Sequence, residues 1–197
     1  MKHETRALTQ APELRATDGA KIAAGYAALF NSRTQIGDWF EEIIAPGAFK
    51  DALSSDVRAL IDHDTGRVIG RSTAGTLRLS EDDRGLFVEI DLPDTSDGRD
   101  LAVQLERGDI SGMSFGFRVT KEEWDETGKV PVRTIKAVDL FEVSAVAFPA
   151  YADTEIALRS LESAKAEREK TEREAKTRNQ EGYLRRKAEQ EQRFRNI

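Results

Sequence analysis

The chain has 197 residues and a net charge of −6, with 34% charged and 39% hydrophobic residues. It has no cysteine, which excludes disulfides, a thiolate nucleophile and cysteine-bound zinc, and its two histidines are too few for a histidine-rich metal centre. It also lacks the roughly 18 consecutive apolar residues of a membrane span. We therefore expect a cytosolic protein with no cofactor, no metal and no membrane partner.

The charge is distributed unevenly along the chain. Residues 161–197 carry 11 Lys and Arg against 8 Asp and Glu, whereas the whole chain carries 30 against 36. The excess of acid therefore lies in the preceding part of the chain, which argues against a direct role in nucleic-acid binding. Only the basic C-terminal segment has the charge to contact an acidic partner.

The N-terminal half is predicted to consist mainly of strands. Residues 1–19 are polar and are expected to form a flexible N-terminus. From "KIAAGYAALF" (21–30) onward, short β-type runs alternate with turn signals. The exception is "PGAFKDALSS" (46–55), which predicts a short helix that begins near Pro46.

The middle of the chain predicts a hairpin followed by a helix. The runs "TLRLS" (76–80) and "GLFVEIDL" (85–92) flank an acidic turn, as in a hairpin with a longer loop. The next segment predicts a helix that is capped by Ser96 or Asp97 and ends at Gly108.

A strand with an unusual serine follows the helix directly, in "GDISGMSFGFR" (108–118). Its alternating apolar side chains define a core face: Met113, Phe115, Phe117 and Val119. Ser114 lies on the opposite face between Gly112 and Gly116, where the missing side chains allow another backbone to approach closely. Close packing and a peptide-binding site both fit this pattern.

The last β-prone run, "VRTIKAVDLFEVSAVAFPAY" (132–151), closes at Pro149. Residues 20–155 form the predicted folded domain, with many short strands and two or three helices. This pattern favours the α+β class, with a partly closed β-barrel core and surrounding helices. Residues 156–197 are rich in Ala, Glu, Lys and Arg without a sustained apolar seam, and they predict a charged helical or disordered tail.

The predicted domain contains a single histidine. His63 stands between Asp62 and Asp64, and on its own it is typical of a loop histidine in an acidic turn. Together with Ser114 it gains a second interpretation, because a serine nucleophile needs a base and histidine is the usual one. Ser111 is a weaker candidate nucleophile. It precedes Met113 by two residues, so the alternation of side chains along a strand places it on the core face.

Glu142 is the third residue of interest, because its strand is apolar on both faces. A buried carboxylate requires a partner, which is either an arginine in a structural salt bridge or His63, whose tautomer Glu142 would fix. Three other carboxylates compete for the second role: Asp62, Asp64 and Asp139. Ser144 shares the face of Glu142 and is expected to be a packed hydroxyl.

Four segments, in this order, resemble one known family: "WFEEIIAPGAF" (39–49), "LIDHDTGRVIGR" (60–71), "GDISGMSFGF" (108–117) and "LFEVSAVAFPAY" (140–151). Together they look like the prohead (capsid maturation) proteases of tailed phages. The resemblance covers roughly residues 20–155. The fold of that family is similar to that of the herpesvirus assembly proteases, which implies a β-barrel core with surrounding helices.

The resemblance implies a serine endopeptidase that is packaged inside the immature capsid, or prohead, in the host cytoplasm. Such an enzyme removes the scaffolding segment of the major capsid protein and processes itself, and the likeness to herpesvirus proteases allows self-association. The family's motifs place its catalytic histidine, serine and glutamate at His63, Ser114 and Glu142. Asp62 departs from the asparagine of many relatives, which leaves it open as an acidic partner.

A catalytically silent scaffold or assembly protein that uses the same barrel is the alternative function. Such a protein would need no serine and histidine pair. The C-terminal tail lies outside the family pattern, so docking on acidic scaffold or capsid segments, removal by self-cleavage and a solubilising role all stay open for it.

Overall fold

The computed structural model describes residues 3–17, 19–149, 161–171, 173–178 and 180. The chain divides into two units, Met1–Ala157 and Leu158–Ile197. In the second unit the described residues are helical, and the predicted start of the tail at residue 156 lies outside the described residues. None of the described helices combines the length and the apolar character that crossing a membrane requires.

The described part of the first unit is built mainly from strands. The strands are β1 (Glu4–Leu8), β2 (Glu13–Thr17), β3 (Ala20–Leu29), β4 (Thr34–Ile36), β5 (Phe40–Ile44), β6 (Arg58–Ile61), β7 (Asp64–Arg71), β8 (Leu77–Glu81), β9 (Gly85–Asp91), β10 (Gly112–Asp125) and β11 (Val132–Val146). The helices are α1 (Ser96–Arg107) and two 3₁₀ helices, Ala52–Ser54 and Ser72–Ala74.

The strands form two sheets. The larger follows the order β1-β10-β11-β5-β4, with β6 paired to β11 and β7 paired to β6, and the smaller follows the order β2-β3-β9-β8. The long strand β11 pairs with β5 near its start and with β6 near its end. The α+β class is confirmed, whereas the described strands form open sheets and no closed barrel.

The N-terminal segment contains strands, although the sequence predicts that residues 1–19 are flexible. Strand β1 pairs antiparallel with β10, and β2 pairs antiparallel with β3. The polar character that indicated flexibility arises partly from Glu4 and Arg6, which are only 5% and 4% exposed. The two side chains contact each other, but their other partners, Glu42 and Arg133, lie far away in sequence, so the local pattern does not reveal that these charges are buried.

A buried ionic network attaches β1 to the centre of the larger sheet. Arg6 donates to both carboxylate oxygens of Glu42, at 2.7 and 2.9 Å. Arg133 is 1% exposed and donates to three carboxylates, those of Glu4, Glu42 and Glu122. Burial alone would raise the pKa of Glu4, but the hydrogen bonds and charges of Arg133 and Arg6 outweigh it and hold that pKa below its ordinary value. Glu4 is therefore ionised within the network.

The predicted hairpin and the predicted core face are confirmed. Strands β8 and β9 pair antiparallel across a short turn. The core-face residues of β10 are buried or, for the last of them, partly buried against the core: Met113, Phe115, Phe117 and Val119. Helix α1 ends at Gly108, whose φ of 79° lies in the left-handed region, as the sequence predicts.

Two helix predictions are corrected by the structure. The N-cap of α1 is Thr95, whose hydroxyl accepts from a backbone N–H at 3.3 Å, so neither Ser96 nor Asp97 caps this helix. The helix predicted over 46–55 is reduced to a turn and the first 3₁₀ helix. Gly47 has a φ of 85°, which interrupts helical geometry directly after the proline.

Candidate active site

Ser114 lies on β10 between two neighbouring strands. It is paired with Ala7 of β1 on one side and with Ser144 of β11 on the other. It is 1% exposed, and its hydroxyl donates to the backbone carbonyl of Arg6 at 2.9 Å. Because a hydroxyl carries a single hydrogen, this hydrogen is directed to β1 in the observed arrangement.

His63 occupies a two-residue turn between β6 and β7. Ile61 and Asp64 are paired across this hairpin, and the two residues between them have positive φ values, 47° at Asp62 and 61° at His63. Positive φ at both central residues is a feature of the type I′ turn, which tight hairpins favour. Positive φ is uncommon for any residue other than glycine, although aspartate and histidine adopt it more often than most, and it costs backbone strain energy. The turn therefore holds the imidazole in a conformation that needs support from its surroundings.

Strand β11 supplies that support. The backbone N–H of Asp62 donates to the carbonyl of Ala145 at 3.0 Å, and the Asp62 side chain accepts from the N–H of Ala147 at 2.9 Å. The backbone N–H of His63 donates to the hydroxyl of Ser144 at 3.3 Å. The carboxylate of Asp62 thus binds the backbone directly after the end of β11 and fixes the turn. An asparagine at this position would offer the same oxygen acceptor.

Glu142 contacts the imidazole directly. Its Oε1 lies 2.8 Å from His63 Nδ1, and its Oε2 accepts from the hydroxyl of Ser144 at 2.6 Å. The side chain of Glu142 is only 9% exposed, so these two contacts act in a largely desolvated setting. The observed partner of this buried carboxylate is thus the histidine, and not the arginine that the sequence left open.

The competing carboxylates make other contacts. Asp139 forms an ion pair with Arg118, and the Asp64 side chain accepts from the backbone N–H of Gly66 at 2.8 Å. Ser111, the weaker nucleophile candidate, is exposed and donates to the carbonyl of Ala147 at 2.7 Å.

The glycines beside Ser114 are explained by close approach. A Cβ atom at Gly116 would lie 2.4 Å from Glu142 Oε1, and one at Gly112 would lie 2.5 Å from the carbonyl oxygen of Leu8. Both distances are shorter than ordinary van der Waals contacts. Gly116 therefore leaves the space into which the Glu142 carboxylate extends, directly beside the serine.

The structure thus places Glu142 on β11, the strand next to that of Ser114, with the imidazole of His63 in contact with Glu142. Sequence reasoning identified these three residues but missed two of their partners. Ser144 was expected only to pack, although its position two residues after Glu142 on the same face was a usable signal. Arg6 was assigned to a flexible segment, and the sequence contains no local signal that its carbonyl accepts from Ser114.

A serine, a histidine and a carboxylate are the residue types that nucleophilic acyl transfer uses. A family model described as caudovirus prohead serine protease matches residues 7–169 of the chain. The chain belongs to this family. The resemblance carried by the four sequence segments is confirmed, and the match extends past residues 20–155 at both ends.

This member of the prohead serine protease family is similar to two known phage proteins, one in sequence and one in fold. The prohead protease of Enterobacteria phage HK97 is 36% identical over 147 residues, which are 70% of this chain and 60% of that protein. The chain therefore covers less than two thirds of that relative's length. The solved structure of the bacteriophage T4 capsid assembly protease matches with a TM-score of 0.51 and 12% identity, over 75% of this chain and 98% of that one. The second similarity concerns the fold alone.

Proposed function

We propose that this chain is a serine endopeptidase of virion assembly. Ser114 is the nucleophile, His63 the general base and Glu142 the residue that orients His63. The observation that carries the proposal is the 2.8 Å contact between His63 Nδ1 and Glu142 Oε1, beside the strand of Ser114, in a member of the prohead serine protease family.

The proposed reaction is acyl transfer from a peptide to the serine and then to water. Glu142 accepts from Nδ1–H of His63, which fixes the tautomer in which Nε2 is the proton acceptor. His63 takes the proton as Ser114 Oγ attacks the scissile carbonyl, and it returns that proton to the leaving amine. Glu142 stabilises the imidazolium that exists between these steps. Water then attacks the acyl-enzyme with the same base.

The observed arrangement is a resting one in this proposal. The hydroxyl hydrogen of Ser114 is bound to the Arg6 carbonyl, and the serine is 1% exposed. Before attack, this hydrogen has to move to His63 and the serine has to become accessible to a peptide. The resting arrangement therefore protects other peptides from cleavage.

The proposed substrate is the major capsid protein with its scaffolding segment, cleaved inside the prohead in the host cytoplasm. Support comes from the names of the relatives, a prohead protease and a capsid assembly protease. Self-processing and self-association belong to the same proposal. We place the catalytic domain in residues 20–155 together with β1 and β2, followed by the charged tail.

Co-expression with the capsid protein of the same phage tests the proposed function. The wild-type chain is expected to shorten that protein at one site, which mass spectrometry locates, whereas Ser114→Ala leaves it full-length. Cleavage that persists in Ser114→Ala would refute the nucleophile. Assembled proheads in which the wild-type chain leaves every capsid subunit intact would favour the catalytically silent scaffold.

Gly116→Ala is expected to lower kcat/KM by roughly 100-fold, because the new methyl group displaces Glu142 from His63 and small misplacements of catalytic groups have effects of this size. Cleavage rates and thermal unfolding are measured together. Gly128→Ala is the matched control, since a Cβ there meets no atom closer than 3.5 Å. Equal rates in the two variants would show that the position of Glu142 is unimportant.

A further inference from the structure

Ser144 has a fully buried hydroxyl that contacts both members of the His63–Glu142 pair. Its side chain donates to Glu142 Oε2 at 2.6 Å and accepts from the His63 backbone N–H at 3.3 Å, and the residue is 0% exposed. The carboxylate therefore divides its two oxygens between the imidazole and this hydroxyl. The hydroxyl of Ser144 therefore holds both the carboxylate of Glu142 and the backbone of His63.

Ser144 also lies on β11 between the strand of Ser114 and the strand that leads to His63. It is paired with Ser114 on β10 and with Leu60 on β6, the strand that leads into the His63 turn. The turn has two consecutive positive φ values, and such a conformation persists only where surrounding contacts impose it. The bond from the His63 N–H to Ser144 is one of those contacts.

We propose that Ser144 is a positioning residue for the reaction proposed above, and this inference rests on that proposed function. Its hydroxyl holds Oε2 of Glu142, so that Oε1 stays on Nδ1 of His63. Without the hydroxyl, a buried carboxylate oxygen loses its donor, and an unsatisfied buried acceptor is unfavourable. The Glu142 side chain then rotates to find another donor, and the imidazole loses the contact that sets its tautomer.

The test compares Ser144→Ala and Ser144→Thr with a matched control, Ser72→Ala. Ser72 resembles Ser144 in that its hydroxyl accepts from the Val57 N–H at 2.9 Å and donates to the Ser55 carbonyl at 2.7 Å, at the other end of β6. Its bonds do not involve His63 or Glu142. Each variant is assayed for kcat and KM on the capsid substrate. The proton NMR signal of the His63 Nδ1–H is recorded in parallel.

Ser144→Ala is expected to lower kcat roughly 10- to 100-fold, with KM within about twofold. Hydrogen-bond partners that orient metal-binding side chains have effects of this size, and Ser144 orients Glu142 in the same manner. The downfield Nδ1–H signal should broaden or disappear. Ser144→Thr keeps the hydroxyl and should recover most of both readouts. Ser72→Ala should leave both unchanged.

Three outcomes overturn the inference. These are an unchanged kcat and NMR signal in Ser144→Ala, a lower kcat with an intact Nδ1–H signal, and an equal loss in Ser72→Ala, which would indicate a packing effect. If Ser144→Thr does not fold, the comparison of Ser144→Ala with Ser72→Ala decides whether Ser144 is a positioning residue. If the wild-type chain cleaves nothing, the proposed function fails, while the NMR comparison still decides whether Ser144 holds the pair.

Discussion

Ser114→Ala is expected to lower kcat/KM for the capsid substrate by roughly 10⁴-fold or more, and His63→Ala by a similar factor. In the proposed mechanism, the serine supplies the oxygen that forms the acyl-enzyme, and the imidazole supplies the base without which that oxygen is a poor nucleophile. Because the two act as a unit, the double variant should be hardly less active than either single variant. Initial rates with purified chains measure all three effects.

Ser111→Ala is the control for this prediction. Ser111 lies three residues before Ser114 but is exposed and bonded to the Ala147 carbonyl, so its removal should leave the rate within about twofold of the wild type. Thermal unfolding of each variant separates loss of catalysis from loss of fold. A large effect of Ser111→Ala together with a small effect of Ser114→Ala would identify Ser111, and not Ser114, as the nucleophile.

Arg133→Met is expected to destabilise the protein by about 3–5 kcal/mol, the usual cost of removing one partner from a buried ion pair. Arg133 is 1% exposed and contacts three carboxylates, two of which, Glu4 and Glu42, are then left with Arg6 as their cation. For a chain of this size the loss corresponds to a fall in Tm of about 6–20 °C. Urea unfolding gives the free energy, and calorimetry gives Tm.

Arg78→Met is the matched control for the buried network. Arg78 binds Asp91 through two hydrogen bonds at 2.7 and 2.8 Å, but its side chain is 43% exposed. Surface ion pairs contribute little, so this variant should stay within about 1 kcal/mol of the wild type. If the two variants were equally stable, the network would not be what holds β1 in the sheet.

The site was predictable where the signal is local. Alternation along β10 separates Ser114 from the core phenylalanines, because side chains of a strand point to opposite faces in turn. A glutamate in an apolar strand needs a partner, and His63 was one of two that the sequence allowed. The choice between them required the structure, since Glu142 and His63 are 79 positions apart.

The N-terminal strand was not predictable in this way. A short polar segment is typical of a frayed terminus, and β1 joins the sheet through partners far along the chain: it pairs with β10, and Arg6 binds Glu42, 36 positions away. Its contact with Ser114 depends on the backbone carbonyl of Arg6, which has no sequence signature. The Thr95 cap is a smaller error, in which neighbouring residues of similar propensity compete at an element's end. The helix after Pro46 is short because Gly47 adopts a left-handed φ.

The most direct test of the central claim is covalent labelling with a fluorophosphonate, which reacts with activated serines. The protein is treated in the presence and in the absence of the proposed capsid substrate, and the labelled peptide is identified by mass spectrometry. The account predicts that the label is found on Ser114 and that His63→Ala abolishes it. A label on Ser111, or one on Ser114 that persists at full rate in His63→Ala, would contradict the account.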